Sequence, residues 1–138
     1  MVLNRKVGLL IGIAAVLAFI GVAMGAFAAH GLKSVLSDGE LATIRTGVLY
    51  QFIHSLAILL CVLLSLQSSL SEQTQLFIVA AWCFVFGCLL FSGSLYGLVL
   101  LELPLLGPVT PIGGLLFLCG WSCLTFTGFK IARSNAVE

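Results

Sequence analysis

Charged positions divide this chain into four uncharged stretches, 7–32, 46–71, 73–101 and 103–129, of 26, 26, 29 and 27 residues. A helix crossing a bilayer needs ~20 predominantly apolar residues at a rise of ~1.5 Å each. Each stretch fits one crossing, and none is long enough for two. The period-two alternation of a membrane β-barrel is missing from all four. A helix also keeps its backbone hydrogen bonds internal, as lipid requires. The pattern predicts helices over approximately 7–30, 38–67, 70–101 and 111–131, in one integral membrane domain spanning 1–138. The fold class expected is all-α, a polytopic membrane protein built as a four-transmembrane-helix bundle.

The linkers supply the helix boundaries. Ser37-Asp38-Gly39-Glu40 fits a capping box, with Ser37 as N-cap and Glu40 reaching back to it. Ser69-Leu70-Ser71-Glu72 repeats that pattern before the third helix. Thr110-Pro111 reads as an N-cap followed by a proline at the first helical position of the fourth. Residues 102–109, with Pro104, Gly107 and Pro108, read as a turn. The first stretch resembles a secretory signal, because Arg5 and Lys6 precede it and Ala26-Phe27-Ala28 could be cleaved. Its apolar part, 7–29, is longer than the ~7–15 residues of a signal core. It also holds Ala14, Ala18, Gly21, Gly25 and Ala28 at spacings of 4, 3, 4 and 3, a face that lets a neighbouring helix approach closely. The expectation is a retained helix, with Gly21 and Gly25 in a helix–helix contact.

Composition agrees with this pattern. Hydrophobic residues make up 61% of the 138 positions and charged residues 8%, where soluble domains have about a quarter charged. A soluble domain this small could not hide so much apolar surface. The net charge of +1 says nothing of partners, but no basic patch suggests nucleic acid and no acidic tract a solvating tail, so no nucleic-acid partner is expected. Arg5, Lys6, Lys130 and Arg133 fall on the side of the termini, and Lys33 and Arg45 on the other. Four against two predicts cytoplasmic termini. The side opposite the termini is then the outer one. Cys61, Cys83, Cys88, Cys119 and Cys123 all lie within the apolar stretches, so no disulfide framework is expected. Cys119 and Cys123 share a helix face, but neither C-x-x-C nor paired-His spacing accompanies them. Neither a metal nor another cofactor is expected.

Polar side chains within the stretches are the candidate chemistry. His54 lies ~12 Å into the second stretch, and Ser94 lies ~10 Å before the end of the third. Gly113 and Gly114 open the fourth helix from the same side, and His30 closes the first. One face of the second helix has Gly47, Tyr50, His54, Cys61 and Ser65; one face of the third has Ala80, Cys83, Gly87 and Ser94. Polar groups avoid lipid, so these faces should point inward. The candidate polar cluster is therefore His30, Tyr50, Gln51, His54, Ser92, Ser94 and Tyr96, and the candidate packing glycines are Gly21, Gly25, Gly87, Gly113 and Gly114. Ser, Gln and Tyr in such places commonly serve as interhelical hydrogen-bond glue. His54 is the ionisable group at depth, which makes it a functional hypothesis by default. At the interface, His30 reads as a helix-end companion to Gly31.

Several short motifs bear a resemblance. Ala28-Ala29-His30-Gly31-Leu32, Tyr50-Gln51-x-x-His54, Ser92-Gly93-Ser94-Leu95-Tyr96 and Thr110-Pro111-Ile112-Gly113-Gly114 are followed by Gly120-Trp121. In this order they resemble the YgdD-like family of uncharacterised small inner-membrane proteins, whose eukaryotic relatives include transmembrane protein two-five-six. The resemblance implies four membrane helices and no particular activity.

Functional classes can still be ranked. Proton-coupled antiport generally needs an intramembrane ionisable group, yet Asp38, Glu40, Glu72, Glu102 and Glu138 all lie in loops or at ends. A serine–histidine pair could in principle act by general-base activation, but Ser-Gly-Ser near one His is a weak signal. With no phosphate loop and no metal motif, no enzyme is expected. The expectation is a structural or accessory membrane protein that binds membrane lipid or another membrane protein, with a homo-oligomer as one form of partner. The alternative is a conduit for protons or a small solute, centred on His54.

Overall fold

A computed structural model describes residues 5–67 and 71–134. They form α1 (Arg5–His30), α2 (Asp38–Gln67), α3 (Ser71–Leu100), a 3-10 turn over Pro104–Leu106, and α4 (Val109–Ser134). No strand occurs among them. At ~1.5 Å per residue even the shorter helices reach ~39 Å, more than the ~30 Å hydrocarbon core. All four are long and apolar enough to cross a membrane. The molecule is an all-α, polytopic membrane protein.

The ends of the helices follow local chemistry. Ser37 caps α2: its backbone N–H and its hydroxyl donate to a Glu40 carboxylate oxygen at 2.8 and 2.7 Å, and the Glu40 N–H points back to Ser37 Oγ at 3.4 Å. The expected capping box starting at Ser69 lies outside the described residues. Helix α1 ends at His30, but Gly31 does not take the left-handed backbone of a glycine cap. The Leu32 N–H instead returns to the Phe27 carbonyl at 3.0 Å, and the Phe27 ring lies where a Gly31 side chain would stand. Glu102 is the residue that turns left-handed, at φ 52°, as α3 ends. The Leu101 and Leu103 N–H groups there share the Gly97 carbonyl, at 3.1 and 3.4 Å. Helix α4 begins at Val109, ahead of the expected Thr110 cap, because the Thr110 N–H already bonds the Gly107 carbonyl at 3.3 Å. Pro111 thus sits in the first turn, where its missing N–H would have no intrahelical partner.

Packing follows chain order. The α1–α2, α2–α3 and α3–α4 interfaces account for nearly all helix–helix contact, which puts α2 and α3 at the centre with α1 and α4 on the flanks. The larger core joins Leu10, Ala14 and Leu17 to Ile58, Cys61, Ala80, Phe84 and Phe117. A smaller one, around Ala28, Ile44 and Val99, closes the outer end. Large apolar side chains such as Phe19, at 74% exposure, and Phe129, at 70%, point outward, as a lipid solvent allows.

Glycines set the close approaches. Gly21 and Gly25 face α2, beside Phe52 and Val48. Across α3–α4 the arrangement is reciprocal: Phe117 of α4 lies over Gly87, while Phe84 and Phe91 of α3 lie over Gly120 and Gly113. Gly113 meets Phe91 backbone, whereas neighbouring Gly114 stands at ordinary contact distance from the Phe91 ring.

Candidate functional site

Gln51 is the hub of the interior polar groups, and it is 3% exposed. Its amide N–H donates to the Leu17 carbonyl of α1 at 2.6 Å, and its Oε1 accepts from the Tyr96 hydroxyl of α3 at 2.9 Å. One side chain thereby ties three helices. A methyl on Gly21 would press on the Phe52 ring at 3.2 Å and stand at ordinary contact distance, 3.8 Å, from this amide. Nearby, Ser92 Oγ donates across to the Gly47 carbonyl at 2.8 Å. Ser94 Oγ donates to the Phe91 carbonyl of its own helix at 2.9 Å and lies 2.7 Å from Thr110 Oγ1 on α4. Thr110 therefore links α4 to α3 instead of capping α4.

His54 is buried at 4% exposure. Its Nδ1 lies 2.7 Å from the Tyr50 carbonyl, an acceptor, so Nδ1 bears the proton. Nε2 is then free to accept the Trp121 indole N–H of α4 at 3.2 Å. The Phe117 ring stacks on the imidazole, with centroids 3.5 Å apart and planes 9° from parallel. Both ring nitrogens are engaged, in the pattern of a neutral imidazole. Every buried side-chain nitrogen and oxygen among the described residues has a hydrogen-bond partner.

The structure buries Gln51, His54, Ser92 and Ser94 and half-buries Tyr96. Tyr50 departs from expectation. It is 39% exposed, because the inward face of α2 runs through Gly47, Gln51, His54 and Ile58 and leaves Tyr50 at its edge. There its ring packs against Phe91, with centroids 4.6 Å apart and planes tilted by 32°, and helps line a crevice of about 540 Å³ between α2 and α4. His54, Phe117, Leu118 and Trp121 also line it. His30 stands apart from the cluster, exposed at the end of α1. Cys119 is exposed and Cys123 half-buried. No group of three or more His, Cys, Asp or Glu among the described residues is placed to hold a metal.

Sequence reasoning passed over Trp121, Phe117, Thr110 and Gly120 as members of this site. A signal was present: Thr110, Gly113, Phe117 and Gly120 recur at spacings of 3, 4 and 3, one face of a helix.

Four apolar helices with glycine-mediated contacts and a satisfied polar interior define a small multi-pass membrane protein. Known proteins agree. Residues 24–114 match the family described as a protein of unknown function, DUF423. A UPF0382 membrane protein of Staphylococcus aureus is 41% identical over 115 residues, covering 83% of this chain and 90% of its own. The UPF0382 inner membrane protein YgdD of Escherichia coli is 41% identical over 125 residues, 88% of this chain and 90% of that one. A Haemophilus influenzae UPF0382 membrane protein is 42% identical over 112 residues, 81% and 86% of the two chains. The chain belongs to this DUF423 family of membrane proteins of unknown function. No solved structure matches it.

Proposed function

We propose that the protein is a non-catalytic accessory component of the inner membrane that acts by binding lipid or another membrane protein, with both termini cytoplasmic. The observation behind this is the closure of the polar interior. A conduit needs polar groups that exchange partners with water or solute, whereas here Gln51, His54, Ser92 and Ser94 are each bonded to protein. His54 is stacked against Phe117 as well as hydrogen-bonded, which opposes the ring flip a relay requires. Neither Ser92 nor Ser94 bonds to His54, so the nucleophile–base pair of an acyl-transfer site lacks support. The crevice beside His54 is walled by Phe91, Phe117 and the exposed Leu118, surfaces suited to lipid chains. The YgdD relative is named an inner membrane protein, and the Lys and Arg distribution supports cytoplasmic termini.

The test is proton flux into vesicles holding the purified protein and a pH-sensitive dye, under an imposed pH gradient. Flux should equal that of protein-free vesicles, for the parent and for His54→Gln alike. A protein-dependent flux that disappears in His54→Gln would overturn the reading and restore the conduit.

A further inference from the structure

We propose that the inner end of α4 is a binding site for one anionic phospholipid, with its phosphate at Lys130 and Arg133 and an acyl chain laid along Phe126 and Phe129. This rests on the lipid-binding reading above and names the lipid class and the place. A hollow of about 630 Å³ is lined by Ser122, Thr125, Phe126, Phe129, Lys130 and Arg133. These positions advance by alternating steps of three and one, so they form one stripe on α4.

The order along the stripe matches that of a phospholipid. Lys130 and Arg133, the cations, stand at the end of the helix, where headgroups lie. Phe126 and Phe129, 60% and 70% exposed, come immediately below. From Lys130 down to Ser122 the helix descends ~12 Å, enough to accompany much of an acyl chain. The Thr125 hydroxyl turns back to the Trp121 carbonyl at 2.9 Å, so it is not held out to a ligand and the floor stays largely apolar. Charge complementarity selects the occupant. Two cations within one turn attract a phosphate with net negative charge over a zwitterionic headgroup, and the flexible stems of Lys and Arg reach headgroup level without burying charge. Lys33 and Arg45, on the outer side, are not among the residues lining this hollow.

The experiment reconstitutes the full chain in phosphatidylcholine vesicles with trace spin-labelled phosphatidylglycerol or spin-labelled phosphatidylcholine. Electron paramagnetic resonance then gives the fraction of each probe immobilised on the protein. The parent should prefer the anionic probe by at least about three-fold. Lys130→Gln with Arg133→Gln should bring the ratio to about one. The swap Lys130→Arg with Arg133→Lys should keep it, as should Lys33→Gln with Arg45→Gln. Phe126→Ala with Phe129→Ala should lower it, because the chain loses its seat while all charges remain. The proposal is overturned if the parent shows no preference, if the paired glutamines leave it intact, if the outer-side pair abolishes it equally, or if the phenylalanine pair has no effect. The last result would mean diffuse surface attraction. Flux measured on the same vesicles reports separately on the accessory reading, so either claim can fail alone.

Discussion

Gly113 and Gly114 are adjacent and both sit in the first turns of α4, yet alanine should act oppositely at the two. A methyl on Gly113 would stand 2.8 Å from Cα and Cβ of Phe91 and nearer still to its backbone nitrogen. Carbon atoms settle at ~3.5–4.0 Å, so α4 must back away from α3 by roughly 1 Å. The obstacle is main chain and cannot rotate aside. Overpacking costs ~1–3 kcal/mol, and this geometry belongs at the upper end. Alanine returns ~0.8–1 kcal/mol of helix propensity. Gly113→Ala should therefore lower stability by about 2 kcal/mol. At Gly114 the methyl meets the Phe91 ring at 3.9 Å, an ordinary contact, so only the propensity gain remains. Gly114→Ala should be neutral or up to ~1 kcal/mol more stable. Both are measured by unfolding the parent and each variant in mixed micelles with increasing sodium dodecyl sulfate, followed by helical circular dichroism. Equal midpoints for the two variants, or a Gly113→Ala midpoint at or above the parent's, would refute the account of the α3–α4 contact.

Gly25→Leu should destabilise by roughly 1–3 kcal/mol in the same titration, because even a methyl there stands 3.4 Å from Val48; a midpoint equal to the parent's would place that face toward lipid. Gln51→Leu removes the bonds to Leu17 and Tyr96 and should cost about 1–3 kcal/mol, with unfolding as the readout. Trp121→Phe keeps an aromatic ring but leaves His54 Nε2 without its donor, for a loss of about 1 kcal/mol and an imidazole nitrogen resonance displaced from the parent's. Reporter fusions should read cytoplasmic at Glu138 and external at Asp38, and a periplasmic C-terminus would invert the orientation.

The spans were legible because charges are so rare that their positions alone mark the crossings. The α2 start was legible because Ser37 and Glu40 form a short-range pair that needs no tertiary information. The interior was legible only by helix face. Gln51, His54 and Ser92 lie well inside their faces, but Tyr50 sits at an edge, where a rotation of a few tens of degrees decides between core and crevice. Periodicity does not fix that rotation in a helix that is apolar all round. The role of Thr110 was misread because cap chemistry and interhelical bonding ask for the same hydroxyl, and only the position of α3 decides between them. Trp121 was passed over because an aromatic residue in an apolar stretch looks like lipid-facing surface until its N–H finds an acceptor.

Two kinds of polar contact divide the work of assembly. Ser55, Ser65 and Thr127 bond carbonyls three or four residues back on their own helices, so they satisfy themselves without choosing a neighbour. Gln51, Ser92, Tyr96, the Ser94–Thr110 pair and the Trp121–His54 pair reach between helices. Apolar contact between helices is a weak guide to register in lipid, since an acyl chain offers a similar surface to Leu or Phe. Register must then come from glycine contacts, which admit one spacing, and from directional bonds, which admit one partner. Both kinds meet around Gln51, where Gly21 packs beside Phe52 and Gly47 offers its carbonyl to Ser92 while lying under the Tyr96 ring. Phe117 stacks on the His54 imidazole and is also the side chain that seats α4 over Gly87. Parting Phe117 from the imidazole and loosening α4 from α3 are therefore a single structural event.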